Sequence, residues 1–172
     1  MKEIHISEIA HLSDKESFVK GLFHDGNFDV CFHYESDFQK TQLLRDIIDI
    51  MGDVCGLDDR WRRRIVLIVD ELNNNAIEYG SKKGDINKMR FFFEKNTKGL
   101  LSIEVEDCGT WKEAKTAEAM ELLQIQKKKD GFKNHASIRG RWLFMIILNL
   151  VDELYFKDSD AGGLIVWVSK TF

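Results

Sequence analysis

Residues 70–80 read DELNNNAIEYG, and their polar groups fall where a helix that only fills a core would not place them. At about 100° per residue, one apolar stripe lies within about 60° of Leu72 and contains Ile65, Ile68, Val69 and Ala76. Glu71 and Asn75 flank this stripe and project from the same side of the helix. There a glutamate can take a proton and an asparagine can offer its carbonyl oxygen to Mg²⁺.

The composition indicates one globular domain. The 172 residues are 44% hydrophobic and 31% charged, which suits an ordinary core, and the formal net charge of −4 argues against a broad basic surface for nucleic acid. Three sparse cysteines favour reduced thiols over a disulfide framework. Because no segment has the pattern of a signal peptide or a bilayer span, we expect a cytoplasmic protein without membrane contact.

Apolar periodicity predicts an α+β fold after a short N-terminal extension, residues 1–26, which holds a helix or two. Period-two alternation predicts strands at 28–34, 89–94, 101–107, 154–156 and 164–168, with a hairpin turn at 96–99. Helical spacing predicts helices over 38–56, 58–80, 114–126 and 142–150. Residues 27–172 then form a two-layer sandwich, a mainly antiparallel sheet covered on one face by helices.

Asp107 ends the core-facing row of a predicted strand. It shares that face with Leu101, Ile103 and Val105, and Gly109 follows two residues later. A carboxylate on the buried side of a strand usually has a dedicated donor or a ligand. Asp107 is therefore a second candidate site residue.

Three short segments carry a resemblance to a known family. The first is the helix segment 71–80, with Glu71, Asn75, Ala76, Tyr79 and Gly80 at its key positions. The second is DCGTW at 107–111, and the third is GRWL at 140–143 followed by LVDEL at 150–154. Over residues 27–170 the chain resembles the anti-sigma-factor serine/threonine kinases, bacterial members of the GHKL ATPase superfamily with the Bergerat ATP-binding fold.

The resemblance implies a role for each motif position. Glu71 is the base that accepts a proton from the attacking hydroxyl, and Asn75 is the metal ligand that holds Mg²⁺ against the phosphates of ATP. Asp107 receives the adenine amino group, and Gly109 lets the chain turn tightly beside the base. The remaining positions implied in nucleotide binding are Tyr79, Gly140 and Arg141.

The resemblance also implies partners. Proteins of this family transfer the γ-phosphate of ATP to a serine or threonine of a STAS-type anti-sigma-factor antagonist. They also bind a sigma factor and usually dimerise, and the nucleotide state decides the partner. We therefore expect a homodimer that takes part in partner switching and makes no direct contact with nucleic acid.

Two departures from the family pattern keep other functions open. Trp111 and Trp142 stand where the motifs have glycines, and a bulky side chain can obstruct the approach of phosphates to a helix N-terminus. The alternative is a catalytically degenerate Bergerat-fold protein that regulates by protein contact alone. An unrelated α+β domain is a third reading, which a structure with Asp107 more than a nucleotide length from Glu71 would establish.

Overall fold

Helices cover one face of a mixed β-sheet in the computed structural model, which describes residues 1–95, 99–111, 114–129, 147 and 149–172. The six strands of the described part are β1 (Lys2–His5), β2 (Asn27–Glu35), β3 (Ile86–Glu94), β4 (Leu100–Glu106), β5 (Glu153–Asp158) and β6 (Leu164–Thr171). Their order across the sheet is β1-β2-β3-β4-β6-β5. All neighbours pair antiparallel except β1 and β2, which are parallel. The predicted α+β class is confirmed.

Aspartate side chains cap the first turns of the two longest described helices. The described helices are α1 (Ile6–Ala10), α2 (Lys15–Lys20), α3 (Phe38–Val54), α4 (Asp59–Asn75) and α5 (Ala117–Lys129), and a π-helical turn over Ala76–Gly80 continues α4. The Asp37 carboxylate accepts the backbone N–H of Gln39 at 2.9 Å. The Asp58 carboxylate accepts that of Trp61 at 2.8 Å. Each acceptor satisfies an N–H group that the first helical turn leaves unpaired.

The buried row of the sheet follows the predicted alternation. Met89, Phe91 and Phe93 of β3 are buried, as are Leu101, Ile103 and Val105 of β4. The apolar stripe of α4 packs into the same core, with Ile65, Ile68, Val69, Leu72 and Ala76 all buried. Asp107, the next residue of the β4 row, is only 9% exposed. The buried row of β4 therefore ends at Asp107, the carboxylate that the sequence predicted as a site residue.

The N-terminal residues form part of the sheet as well as the two expected helices. β1 pairs with β2, and Ile4, Ile6 and Ile9 are buried in the main core. This strand was not predicted, because four residues with a single buried side chain give no readable period. The division between an extension, 1–26, and a domain, 27–172, stays a prediction.

Other boundaries differ by a few residues. The helix expected over 114–126 begins at Ala117 and runs to Lys129. Most of the predicted hairpin turn at 96–99 and of the predicted helix at 142–150 lies outside the described residues. Within the described part, no helix combines the length and apolarity needed to cross a membrane.

Candidate functional site

Glu71 and Asn75 lie half-buried on α4, beside its core-facing stripe. The Asn75 side-chain Nδ2 donates to the backbone oxygen of Glu71 at 2.6 Å. This bond commits the amide nitrogen to the helix backbone, so the carbonyl oxygen Oδ1 is the end directed away from it. An amide oxygen held in this way is a suitable ligand for a hard cation such as Mg²⁺.

The Glu71 carboxyl lies in a place that disfavours its charge. Burial raises its pKa above the usual range, and the negative charge of Asp70 raises it further. Asp70 itself faces the other way, towards α3, where Arg45 donates to it at 3.4 Å. Among the described residues, Glu71 has no basic partner. A carboxylate with a raised pKa is a better proton acceptor than an ordinary one, because a base works best with a pKa near the operating pH.

Asp107 is held by the backbone of two neighbouring segments. Its Oδ1 accepts the N–H of Gly109 at 2.9 Å and the N–H of Leu164, the first residue of β6, at 3.0 Å. Burial nevertheless raises the pKa of this carboxyl, since the two backbone donors only partly offset the desolvation of its charge. A buried, oriented carboxylate without a basic partner in the described residues is a candidate ligand-binding group.

Three glycines allow the close approach of backbone around Asp107. A Cβ on Gly80 would lie 2.2 Å from the Asp107 Oδ2, and a Cβ on Gly163 would lie 1.8 Å from its backbone oxygen. Gly109 has a positive φ of 63°, and a Cβ there would meet the backbone oxygen of Gly162 at 2.0 Å. No other residue type fits these positions without displacement of the carboxylate or its loop.

The loop after the π turn fastens α4 to the end of β4. The backbone N–H of Ser81 donates to the Ala76 oxygen at 2.9 Å, which closes the π turn. The Ser81 hydroxyl accepts the N–H of Cys108 at 2.8 Å and donates to the Asn87 Oδ1 at 2.6 Å. π turns inside α-helices occur frequently at functional sites, where they re-aim a helix end. Here the turn brings Gly80 against Asp107.

The two halves of the site lie within one nucleotide length of each other along α4. Gly80 lies nine positions after Glu71, which corresponds to about 13–14 Å of helix axis at about 1.5 Å per residue. Gly80 in turn packs against the Asp107 carboxylate. This span is comparable with an extended nucleoside triphosphate, from its base to its terminal phosphate. Asp107 therefore does not lie more than a nucleotide length from Glu71, the separation that would make the motif match over residues 71–80 accidental.

Other predicted positions have different outcomes. Tyr79 lies half-buried in the π turn, one residue before Gly80. Gly140 and Arg141, together with Trp142, lie outside the described residues. Trp111, which replaces a motif glycine, donates its backbone N–H to the Gly80 oxygen at 3.2 Å, and its residue is 43% exposed. The loop thus accommodates this side chain without burying it.

The residues that position Asp107 are not predictable from the local sequence pattern. Leu164 supplies a backbone donor and Gly163 the close approach, yet both lie more than fifty residues further along the chain. Ser81 is not predictable in this way either, although it joins the π turn to Cys108. The pair Gly162-Gly163, directly before the predicted strand 164–168, is the one signal in the sequence for this close approach.

The family model of the histidine kinase-like ATPase domain matches residues 35–170, more than half of the chain. The chain belongs to this family. A comparison with curated proteins finds no match. The histidine kinase-like ATPase domain implies ATP binding, and the described residues fit that ligand because the oriented Asp107 and the Glu71–Asn75 pair stand at the two ends of a nucleotide-length span.

Proposed function

We propose that this protein is an ATP-dependent regulatory serine/threonine kinase that controls a sigma factor by partner switching. The single observation that supports it best is the arrangement along α4. A half-buried base and an amide ligand lie at one end, and an oriented, buried carboxylate lies at the other. The family match supplies the ATP-binding half of the proposal. The transfer of the phosphoryl group to a protein hydroxyl goes beyond the family match and is our own proposal.

Glu71 is the base of the proposed reaction. Its carboxylate accepts the proton of the attacking serine or threonine hydroxyl, and its raised pKa suits that task. The Asn75 Oδ1 holds the metal, and the Asp107 carboxylate accepts a hydrogen bond from the adenine amino group. When bound, Mg²⁺ neutralises the charge that develops on the transferred phosphoryl group.

The proposed partners are proteins. The substrate is a serine or threonine on a STAS-type anti-sigma-factor antagonist, and the regulated partner is a sigma factor. The protein acts as a homodimer in the cytoplasm, and its nucleotide state decides which partner it holds. Identification of the neighbouring gene products, and capture of partners on the full-length chain, would supply the cognate proteins for the assays below.

Nucleotide binding is the first test. The full-length chain is titrated with ATP and with ADP in the presence of Mg²⁺ by calorimetry, and its melting temperature is measured with and without nucleotide. We expect heat and a rise in melting temperature, because a ligand that binds only the folded state stabilises it. No heat and no shift at millimolar nucleotide would refute the kinase proposal.

Matched variants then separate the roles of the two helix residues. E71Q keeps the shape of the side chain but removes the base, so ATP binding should stay within about twofold while transfer to the antagonist is lost. N75A should lose the part of ATP affinity that depends on Mg²⁺. N74A, altered at the neighbouring helix position, is the control and should bind as the wild type. Equal losses of binding and transfer in E71Q would contradict the assignment of the base.

Asp107 is tested by base selectivity. In D107N the Oδ1 acceptor of the Gly109 and Leu164 N–H groups is kept, so the loop stays in place. The second oxygen becomes an amide N–H₂ group, which opposes the adenine amino group instead of accepting from it. We expect a loss of ATP affinity of at least about tenfold, the scale of one lost charge-assisted hydrogen bond. Unchanged affinity would remove Asp107 from the site.

Trp111 favours a second candidate function. This residue replaces a motif glycine and is joined by its backbone to Gly80, next to Asp107. A Bergerat-fold protein that has lost efficient catalysis would regulate by protein contact alone. In that case the chain would capture its protein partner equally well with and without ATP, and E71Q would have no effect on the captured amount.

A further inference from the structure

Three metal-binding side-chain types meet on the face of the sheet that the described helices leave uncovered. In the parallel pair of β1 and β2, Glu3 lies opposite Cys31 and His5 lies opposite His33. Cys31 and His33 alternate with Phe32, which is buried in the helix-covered core, so both lie on the other face. The candidate nucleotide site lies on the helix-covered side. The two sites are therefore separate.

The three ligand atoms are close together. One oxygen of Glu3, the sulfur of Cys31 and a ring nitrogen of His33 all lie within 4.8 Å of one another. The His33 Nε2 lies 2.5 Å from the Glu3 Oε2. The His33 ring also stacks on that of His5 at a centroid distance of 5.0 Å, which fixes its orientation. Positions on paired strands hold such a set more firmly than loop positions would.

We propose that Glu3, Cys31 and His33 bind a zinc ion, with a water molecule as the fourth ligand. One thiolate, one imidazole and one carboxylate form a mixed sulfur, nitrogen and oxygen set, which suits a tetrahedral Zn²⁺ better than the oxygen-only sets of Mg²⁺ or Ca²⁺. On binding, the Cys31 thiol gives its proton to solvent. The charges of the carboxylate and the thiolate then balance those of the ion.

The surroundings permit a cation and a water molecule. A cavity of about 300 Å³ opens beside the cluster, lined in part by Glu3 and His33. The two basic side chains in its wall already have acidic partners. Lys88 pairs with Glu106 at 2.9 Å, and Arg90 pairs with Asp29 at 2.8 Å. Their charges are thus largely neutralised, and the cavity gives the ion an entry path.

The Glu3–His33 pair must open to receive the ion. Zinc bonds of about 2.0–2.2 Å in tetrahedral geometry place a nitrogen and an oxygen ligand about 3.4 Å apart. The His33 Nε2 and Glu3 Oε2 must therefore separate by about 1 Å from their hydrogen-bonded distance. Glu3 can make this adjustment because half of its side chain is exposed at the sheet edge.

Cobalt(II) is the spectroscopic probe for the test. The full-length protein is stripped of metal with a chelator, kept reduced and titrated with Co²⁺. We expect one Co²⁺ per chain, with a near-ultraviolet thiolate-to-cobalt band and the visible bands of a tetrahedral ion, which added Zn²⁺ abolishes. C31S should lose the thiolate band, and E3Q and H33Q should weaken binding at least about tenfold.

The matched control is C55S, which removes another buried thiol, one on the helix-covered side of the sheet. It should keep the cobalt spectrum. Zn²⁺ should also raise the melting temperature of the wild type more than that of E3Q, whose exposed side chain can be changed without loss of folding. No thiolate band in the wild type, or a band that persists in C31S, would overturn the proposal.

Discussion

Gly80→Ala tests whether the close approach of the π turn to Asp107 is real. Gly80 has no positive φ, so backbone propensity alone predicts that alanine stabilises this helical position by about 0.5–1 kcal/mol. Sterics predict the opposite. The new Cβ would lie 2.2 Å from the Asp107 Oδ2 and 2.3 Å from its Cγ, distances that non-bonded atoms do not tolerate.

The carboxylate cannot retreat without loss of its own contacts. Gly109 and Leu164 hold its Oδ1, and Gly163 packs against its backbone. Forcing a methyl group into such a site costs about 1–3 kcal/mol. A hydrogen bond to a charged group is worth about 1.5–3 kcal/mol. We therefore expect a net loss of about 2–5 kcal/mol in unfolding free energy, or roughly 4–20 °C in melting temperature for a chain of this length.

Urea unfolding followed by circular dichroism measures the effect, and Gly84→Ala is the control. Gly84 has a φ of +90° with no atom within 4 Å of a new Cβ, so alanine there costs backbone strain alone, about 1–2 kcal/mol. The steric argument thus predicts that Gly80→Ala is the less stable of the two variants. If Gly80→Ala equals the wild type or exceeds Gly84→Ala in stability, the account of the Asp107 site is wrong.

Three further substitutions test the helices. E71Q should raise the melting temperature at pH 7, because the neutral amide avoids the cost of a buried charge. This gain over the wild type should vanish as the pH falls through the raised pKa of Glu71, because the wild-type carboxyl then becomes neutral too. Thermal melts from pH 7 to 4 measure the difference. D58A should cost about 1 kcal/mol in urea unfolding, since the cap of α4 is lost. R62M should cost about 1 kcal/mol, and less in 1 M salt, because Arg62 makes two hydrogen bonds to Asp49 and one to Asp53 in a partly exposed network.

The part of the fold that the sequence predicted is the part in which short-range periodicity decides. The alternation in β3 and β4 and the stripe of α4 each extend over about a dozen residues or fewer, and the buried face that each one predicts is the observed one. The strand β1 has too few residues for a period. Its place in the sheet depends on pairing with β2, about twenty-eight residues away, which no local pattern encodes.

The same distinction between short-range and long-range features applies to the candidate site. Glu71 and Asn75 share a helix face because of their spacing alone, and Asp107 ends a strand row that alternation predicts. The donors that orient Asp107 come from Leu164 and from the turn at Gly109, and the π turn that delivers Gly80 has no sequence rule behind it. Side-chain candidates were therefore predictable, whereas the backbone that aims them was not.

The pKa values of two ion-paired carboxylates and of the two candidate-site carboxylates are shifted in opposite directions. Arg90 lowers the pKa of Asp29, and Lys170 lowers that of Asp152, so these charges stabilise the fold at neutral pH. Burial instead raises the pKa of Glu71 and Asp107, and no described basic side chain compensates either one. Folding alone gives no reason to keep two such charges at neutral pH. In the proposed reaction a ligand does, since the neutral adenine amino group donates a hydrogen bond to Asp107 and the substrate hydroxyl donates one to Glu71.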